Sequence, residues 1–110
     1  MTVARNAVIL DSAKFEYKAI KQHVRREFGE ASWAKTQGAF KEAITLIKHS
    51  PEIGLEIDEL SALGITIFRS KLVGQTRIIY EFDDVNVIIH MFIHTRRDFR
   101  SHLINRVLGA

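Results

Sequence analysis

Thr76-Arg77-Ile78-Ile79-Tyr80-Glu81-Phe82, the segment Asp83-Asp84-Val85-Asn86, and Val87-Ile88-Ile89-His90-Met91-Phe92-Ile93-His94-Thr95 together decide the fold class of this chain. Both outer runs are filled by β-branched and aromatic residues, and the middle one carries turn chemistry, so the stretch predicts an antiparallel hairpin. Pairing Phe82 with Val87 also matches Tyr80 with Ile89 and Ile78 with Met91, which gives one uniformly apolar face to turn toward a core. Strand side chains alternate, so the same register puts Arg77, Ile79, His90, Phe92 and His94 on the opposite face. A third run, Ile65 to Leu72, precedes this hairpin. A three-residue loop, Val73-Gly74-Gln75, would pair Lys71 with Arg77, bring Arg69 onto the same face and turn Phe68 toward the core beside Tyr80. It would also use Gly74 in the left-handed conformation. The expectation is a cationic sheet face of Arg69, Lys71, Arg77 and His94, with Arg96 and Arg97 just past the strand end.

Toward the N-terminus the period changes. Val8-Ile9-Leu10 reads as a short strand, and Asp11 or Ser12 can cap the helix that follows. Ala13, Tyr17, Ile20, Val24 and Phe28 form one helical stripe, with Lys14, Lys18, Lys21 and Arg25 outside it, and Gly29 is the natural stop. Ser32 can cap a second helix whose stripe is Trp33, Phe40, Ile44 and Ile47, ended by Ser50-Pro51. A helix hairpin of this kind needs a third layer to bury both stripes. Residues 51–64 read as connection. Asp98 to Leu108, with Leu103, Val107 and Leu108 at helical spacing and Asp98 as a candidate cap, reads as a short C-terminal helix or an ordered tail. The predicted fold is α+β: an N-terminal strand and helix hairpin packed on a small, mainly antiparallel sheet, in the order β-α-α-β-β-β.

At 110 residues the chain has the length of a single domain, taken as 1–110, able to bury about two-thirds of its unfolded surface. The net charge of +3 is unevenly distributed: residues 69–110 hold seven Lys/Arg against four Asp/Glu, whereas residues 1–68 hold nine of each. Such clustering suits an anionic partner, nucleic acid or an acidic protein, and it also suits an ordinary solvated face. Without cysteine there is no disulfide or thiolate chemistry. Val87 to Ile93 is too short to cross a bilayer and Met1 to Asn6 lacks the pattern of a secretory leader, so no membrane association and a cytoplasmic location are expected. Of the five histidines only His90 and His94 share a predicted face, about 13 Å apart at roughly 3.3 Å per residue, and no metal site is expected. No glycine-rich phosphate loop follows a strand, and no cofactor is expected.

A face of guanidinium and ammonium groups gives directional donors to phosphate oxygens and can stabilise charge that builds in a transition state. Cleaving RNA through its 2′-hydroxyl needs a base and an acid as well. His94 and His102 are the candidates, with Lys71 a third choice; each histidine alone reads more readily as an exposed or structural residue.

The order of these elements, with Pro51-Glu52-Ile53-Gly54, Glu59-Leu60, Arg69, Arg77-Ile78-Ile79-Tyr80-Glu81, Ile93-His94-Thr95-Arg96-Arg97-Asp98-Phe99 and Leu103, resembles the RelE/ParE superfamily of toxins from bacterial type II toxin-antitoxin modules. The resemblance implies a growth-inhibiting protein, of the kind tied to plasmid stabilization, neutralised by a cognate antitoxin whose disordered, often acidic segment folds across it. It implies two alternative targets. ParE-like members bind and poison DNA gyrase; RelE-like members, as mRNA interferases, enter the ribosome and cut mRNA. Under the second, Arg77 and one of Arg96 or Arg97 fall where RelE-like toxins hold phosphate, and Arg69 and Lys71 lie on the strand that carries their basic side chains. The RelE tyrosine near the C-terminus would fall at His102 or Leu103, and its absence, with the Arg96-Arg97-Asp98-Phe99 ending, leans toward the ParE side. Catalytic roles are therefore assigned to Arg77, His94 and His102 only if the protein is a nuclease, and target binding to Arg69, Lys71, Arg77, Arg96 and Arg97. A non-catalytic basic binding module or an inactive toxin remains a third reading.

Overall fold

The computed structural model describes residues 4–107, without the side chain of Val107; the predicted packing of Val107 and Leu108 lies outside the described residues. Five strands form one sheet in the order β1-β5-β4-β3-β2: β1 (Asn6–Ile9), β2 (Leu55–Glu56), β3 (Arg69–Val73), β4 (Thr76–Phe82) and β5 (Asn86–His94). β1 runs parallel to β5 and every other neighbour is antiparallel. The sheet is thus mainly antiparallel, as its hairpin chemistry requires.

Helices α1 (Asp11–Phe28) and α2 (Glu30–His49) are separated by Gly29 alone. Its φ of 91° is one that a side chain disfavours, and it lets the Gly29 N–H close α1 on Arg25 while its carbonyl receives Trp33 N–H to start α2. Neither predicted side-chain cap is used: α1 begins at Asp11 and α2 at Glu30, with Ser32 already inside the helix. The stripe residues Ala13, Phe40 and Ile47 join Ile78, Tyr80, Val87, Ile89 and Phe92 in the main core between helices and sheet. Tyr17 sits among Trp33, Phe40 and Phe92, each edge-on with centroids 5.2–5.6 Å away, a geometry that favours aromatic pairs. Phe28 departs from expectation: it is 68% exposed, with only an edge contact to His23 of its own helix among the aromatic pairs of the described residues.

The connection read between residues 51 and 64 holds more structure than predicted: a 3-10 turn at Pro51–Ile53, β2, and the short helix α3 (Asp58–Ser61). Ile65 to Phe68 is not strand, and β3 starts at Arg69. This segment covers the far face of the sheet. There Ile57 and Leu60 pack with Ile79, Met91, Ile93 and Phe99, the first residue of α4 (Phe99–Val107). Phe68 belongs to this second core, edge-on to His90 at 5.1 Å, rather than beside Tyr80 in the first.

Two register details correct the predicted faces. Val73 pairs with Thr76, so the β3–β4 loop is the two residues Gly74-Gln75, with positive φ (57°) at Gly74 only, as a II′-type hairpin turn needs. Directly paired residues share a face. Arg69 lies opposite Tyr80 and Lys71 opposite Ile78, on the helix side, while Arg77 lies opposite Leu72 on the other. In β5, Tyr80 pairs with Ile89 as predicted, but Ile79 pairs with Met91 and Ile78 with Phe92. His90 is therefore an extra, bulged residue, and everything after it changes face. Phe92 and His94 turn to the helix side and Met91 to the far side, the reverse of the prediction.

Candidate functional site

The predicted cationic face is accordingly divided. Arg69, on the helix side, donates from Nη1 to the Gly54 carbonyl at 2.9 Å, next to the place where the fully buried Tyr80 hydroxyl donates to the Pro51 carbonyl and accepts from Gly54 N–H. Burial pushes the Tyr80 phenol upward from its ordinary range, partly offset by the Gly54 N–H bond and the nearby Arg69 charge. Arg77 stands on the far face against Glu59 (3.6 Å), with its guanidinium over the Phe99 ring. Lys71 is half-buried on the helix side, and His94, Arg96 and Arg97 are exposed at the end of β5. His94 Nδ1 accepts the Arg96 N–H at 3.0 Å. Arg77 and His94 therefore do not converge on a common substrate position.

What the structure does bring together is a groove of about 1240 Å³ between α1 and α2 on one side and the β3–β4 turn and the end of β5 on the other, with α4 alongside. Its apolar lining comes from Phe15, Ala19, Ile20, Val24, Phe28 and Phe40. Phe15 is 75% exposed, an unfavourable state for so large a ring, and α1 buries only Ala13 fully along its whole length. The polar lining is one-sided in charge: Lys35, Arg97 and Arg106 with His23, His94 and His102, against Glu16 as the single acid among the described residues. Glu16 is itself occupied, accepting Phe92 N–H (3.1 Å), Arg106 Nη2 (2.5 Å) and His102 Nε2 (2.8 Å).

Sequence reasoning missed Glu16, Arg106 and Phe15. Phe15 did leave a signal, an aromatic residue off the apolar stripe of α1. Glu16 and Arg106 left none, because their meeting joins positions 90 residues apart. Among the described residues no three His, Asp or Glu side chains are placed to share a metal ion, and no helix is long and apolar enough to cross a membrane.

No protein-family model and no curated protein matches the chain. Its structure is similar to a solved chain from the chromosomal ParDE TA system of P. aeruginosa, with a TM-score of 0.67 and 10% sequence identity over 84% of this chain and 98% of that one. The fold is thus RelE/ParE-like: four helices on a five-stranded mixed sheet.

Proposed function

We propose that this protein is the toxin of a type II toxin-antitoxin module, held inactive by an antitoxin segment lying in the groove beside α1, and that it acts by binding its target, as ParE-like inhibitors of DNA gyrase do. An apolar strip edged by Lys35 and Arg97, which make no ion pair among the described residues, suits an acidic amphipathic segment whose apolar side covers Phe15 and Phe28 while its carboxylates meet those two cations. The observation that favours binding over cleavage is the bulge at His90. It sets Arg77 and His94 on opposite faces of the sheet, and Arg77 is already engaged by Glu59 and Phe99. Lys71, Arg96 and Arg97 are left as the target-facing cations of the predicted set, with Arg69 committed to holding the Pro51–Gly54 turn.

One observation favours the RelE-like alternative, a ribosome-dependent mRNA endonuclease. His94 and His102 line the same groove as Arg97 and Arg106, which would put an acid, a base and phosphate-binding cations along one surface. A cell-free translation assay with mapping of mRNA ends, run beside a gyrase supercoiling assay on the same preparation, separates the two. The proposal expects inhibited supercoiling and intact mRNA. Codon-phased cuts with active gyrase would overturn it in favour of the nuclease, and activity in neither assay would favour the binding-module reading.

A further inference from the structure

Beyond Ile89 the strand β1 no longer accompanies β5, since their pairing ends at Ile9 with Ile89. Side chains take over the vacated edge. The Phe92 N–H is accepted by Glu16 Oε1 at 3.1 Å, and the His90 carbonyl accepts from Arg106 Nη1 at 2.6 Å. Arg106 Nη1 also donates to Ser12 Oγ (2.9 Å), while Glu16 Oε2 takes Arg106 Nη2 and His102 Nε2. One carboxylate of α1 thus ties two side chains of α4 to the backbone of β5. The Glu16 side chain is 15% exposed and that of Arg106 26%, so the pair is well shielded from water and separating it would strand a charge.

The same tie governs the groove. His102 and Arg106 sit on α4, and Arg97 lies in the turn leading to it, its N–H bonded to the His94 carbonyl at 2.9 Å. His102 and Arg106 move if α4 moves, whereas Arg97 is anchored to the end of β5. We propose that Glu16 is a positioning residue that clamps α4 against α1 and β5, and so holds His102 and Arg106 in place, beside Arg97, as the anion-facing wall of the groove. This rests on reading the groove as the seat of an anionic partner. Simple charge counting gives the opposite expectation: Glu16 is the groove's one acid among the described residues, and if charge alone mattered its neutralisation would tighten anion binding.

Glu16→Gln separates these views. Glutamine keeps an acceptor for the Phe92 N–H while removing the charge that holds Arg106 and His102. The probe is 1-anilinonaphthalene-8-sulfonate, an apolar ring system bearing a sulfonate, titrated by fluorescence into the full chain, with amide hydrogen exchange followed over residues 99–106. Positioning predicts several-fold weaker dye binding and faster exchange in α4, with near-UV circular dichroism still native. Unchanged or tighter dye binding in a folded E16Q chain overturns the proposal, and so does unchanged exchange in α4. Should E16Q not fold, Ser12→Ala keeps every groove charge and loosens only Arg106; the same two shifts, smaller, are expected, and their absence refutes the clamp. Failure of the wild-type chain to bind the dye overturns the groove reading itself, distinguishable because no variant is involved.

Discussion

Substituting Gly54 by alanine would set a Cβ 2.2 Å from the Tyr80 hydroxyl oxygen and 2.9 Å from its ring carbon Cζ. The backbone there is ordinary, φ −68° and ψ 153°, so the cost comes from space alone. Tyr80→Phe instead leaves the Gly54 N–H and the Pro51 carbonyl without their partner, a loss of about 1–3 kcal/mol. In urea unfolding, Gly54→Ala is expected to cost at least as much as Tyr80→Phe. The double variant should cost less than the sum, because removing the hydroxyl removes the closest clash; strictly additive losses would mean that the two do not press on each other. The sequence made Tyr80 legible as a core residue from its place in the hairpin. It could not show that the phenol is the post on which the Pro51–Gly54 turn hangs, nor that Arg69 serves the same turn. Those contacts join residues 15 to 29 positions apart through a connection with no periodicity of its own.

Elements whose signals are local were readable: the helix hairpin punctuated by Gly29, the run Thr76–Phe82, and α4 behind Asp98. The bulge was not. Nothing in Val87–Thr95 distinguishes a continuous strand from one with an extra residue, since either register offers apolar faces; the choice is made by Phe92 filling the aromatic cluster and by Glu16 and Arg106 satisfying the edge. The cap of α4 can be tested directly. Asp98 accepts the N–H groups of Arg100 and Ser101 and the Ser101 hydroxyl, and the Ser101 bonds foremost hold its carboxyl below the usual 3.8. A depressed folded pKa contributes stability that is present above the unfolded value and lost as pH falls through the folded one. Cα chemical shifts of residues 99–103 should therefore show Asp98→Ala fraying the first turn of α4 at neutral pH, with Asp98→Asn between it and wild type. The difference between wild type and Asp98→Ala should shrink as pH falls below about 3.8. A difference that persists undiminished in acid would assign the effect to something other than the ionised cap.

For the molecule as a whole, the distribution of charge is the feature that sequence and structure share and place differently. The excess of cations in the last third was legible by counting, but assigning it to one sheet face failed: a loop one residue shorter sends Arg69 and Lys71 to the face opposite Arg77, and a strand one residue longer sends His94 there too. The structure instead concentrates charge around a groove whose other walls are the N-terminal helices, so Lys35 of α2 and Arg97 near α4 face one space. Neither makes an ion pair among the described residues, and reversing both should leave the fold intact, within about 0.5 kcal/mol in stability. If the groove seats an acidic antitoxin, Lys35→Glu with Arg97→Glu should weaken capture of the antitoxin about tenfold or more in calorimetric titration, and should flatten the dependence of its affinity on salt. A stable double variant that binds its antitoxin at full strength and with the same salt dependence would move the partner off the groove and onto another face. The exposed Phe15 and Phe28 would then need a different occupant, because they are large rings left open to solvent on a helix that buries only Ala13 fully.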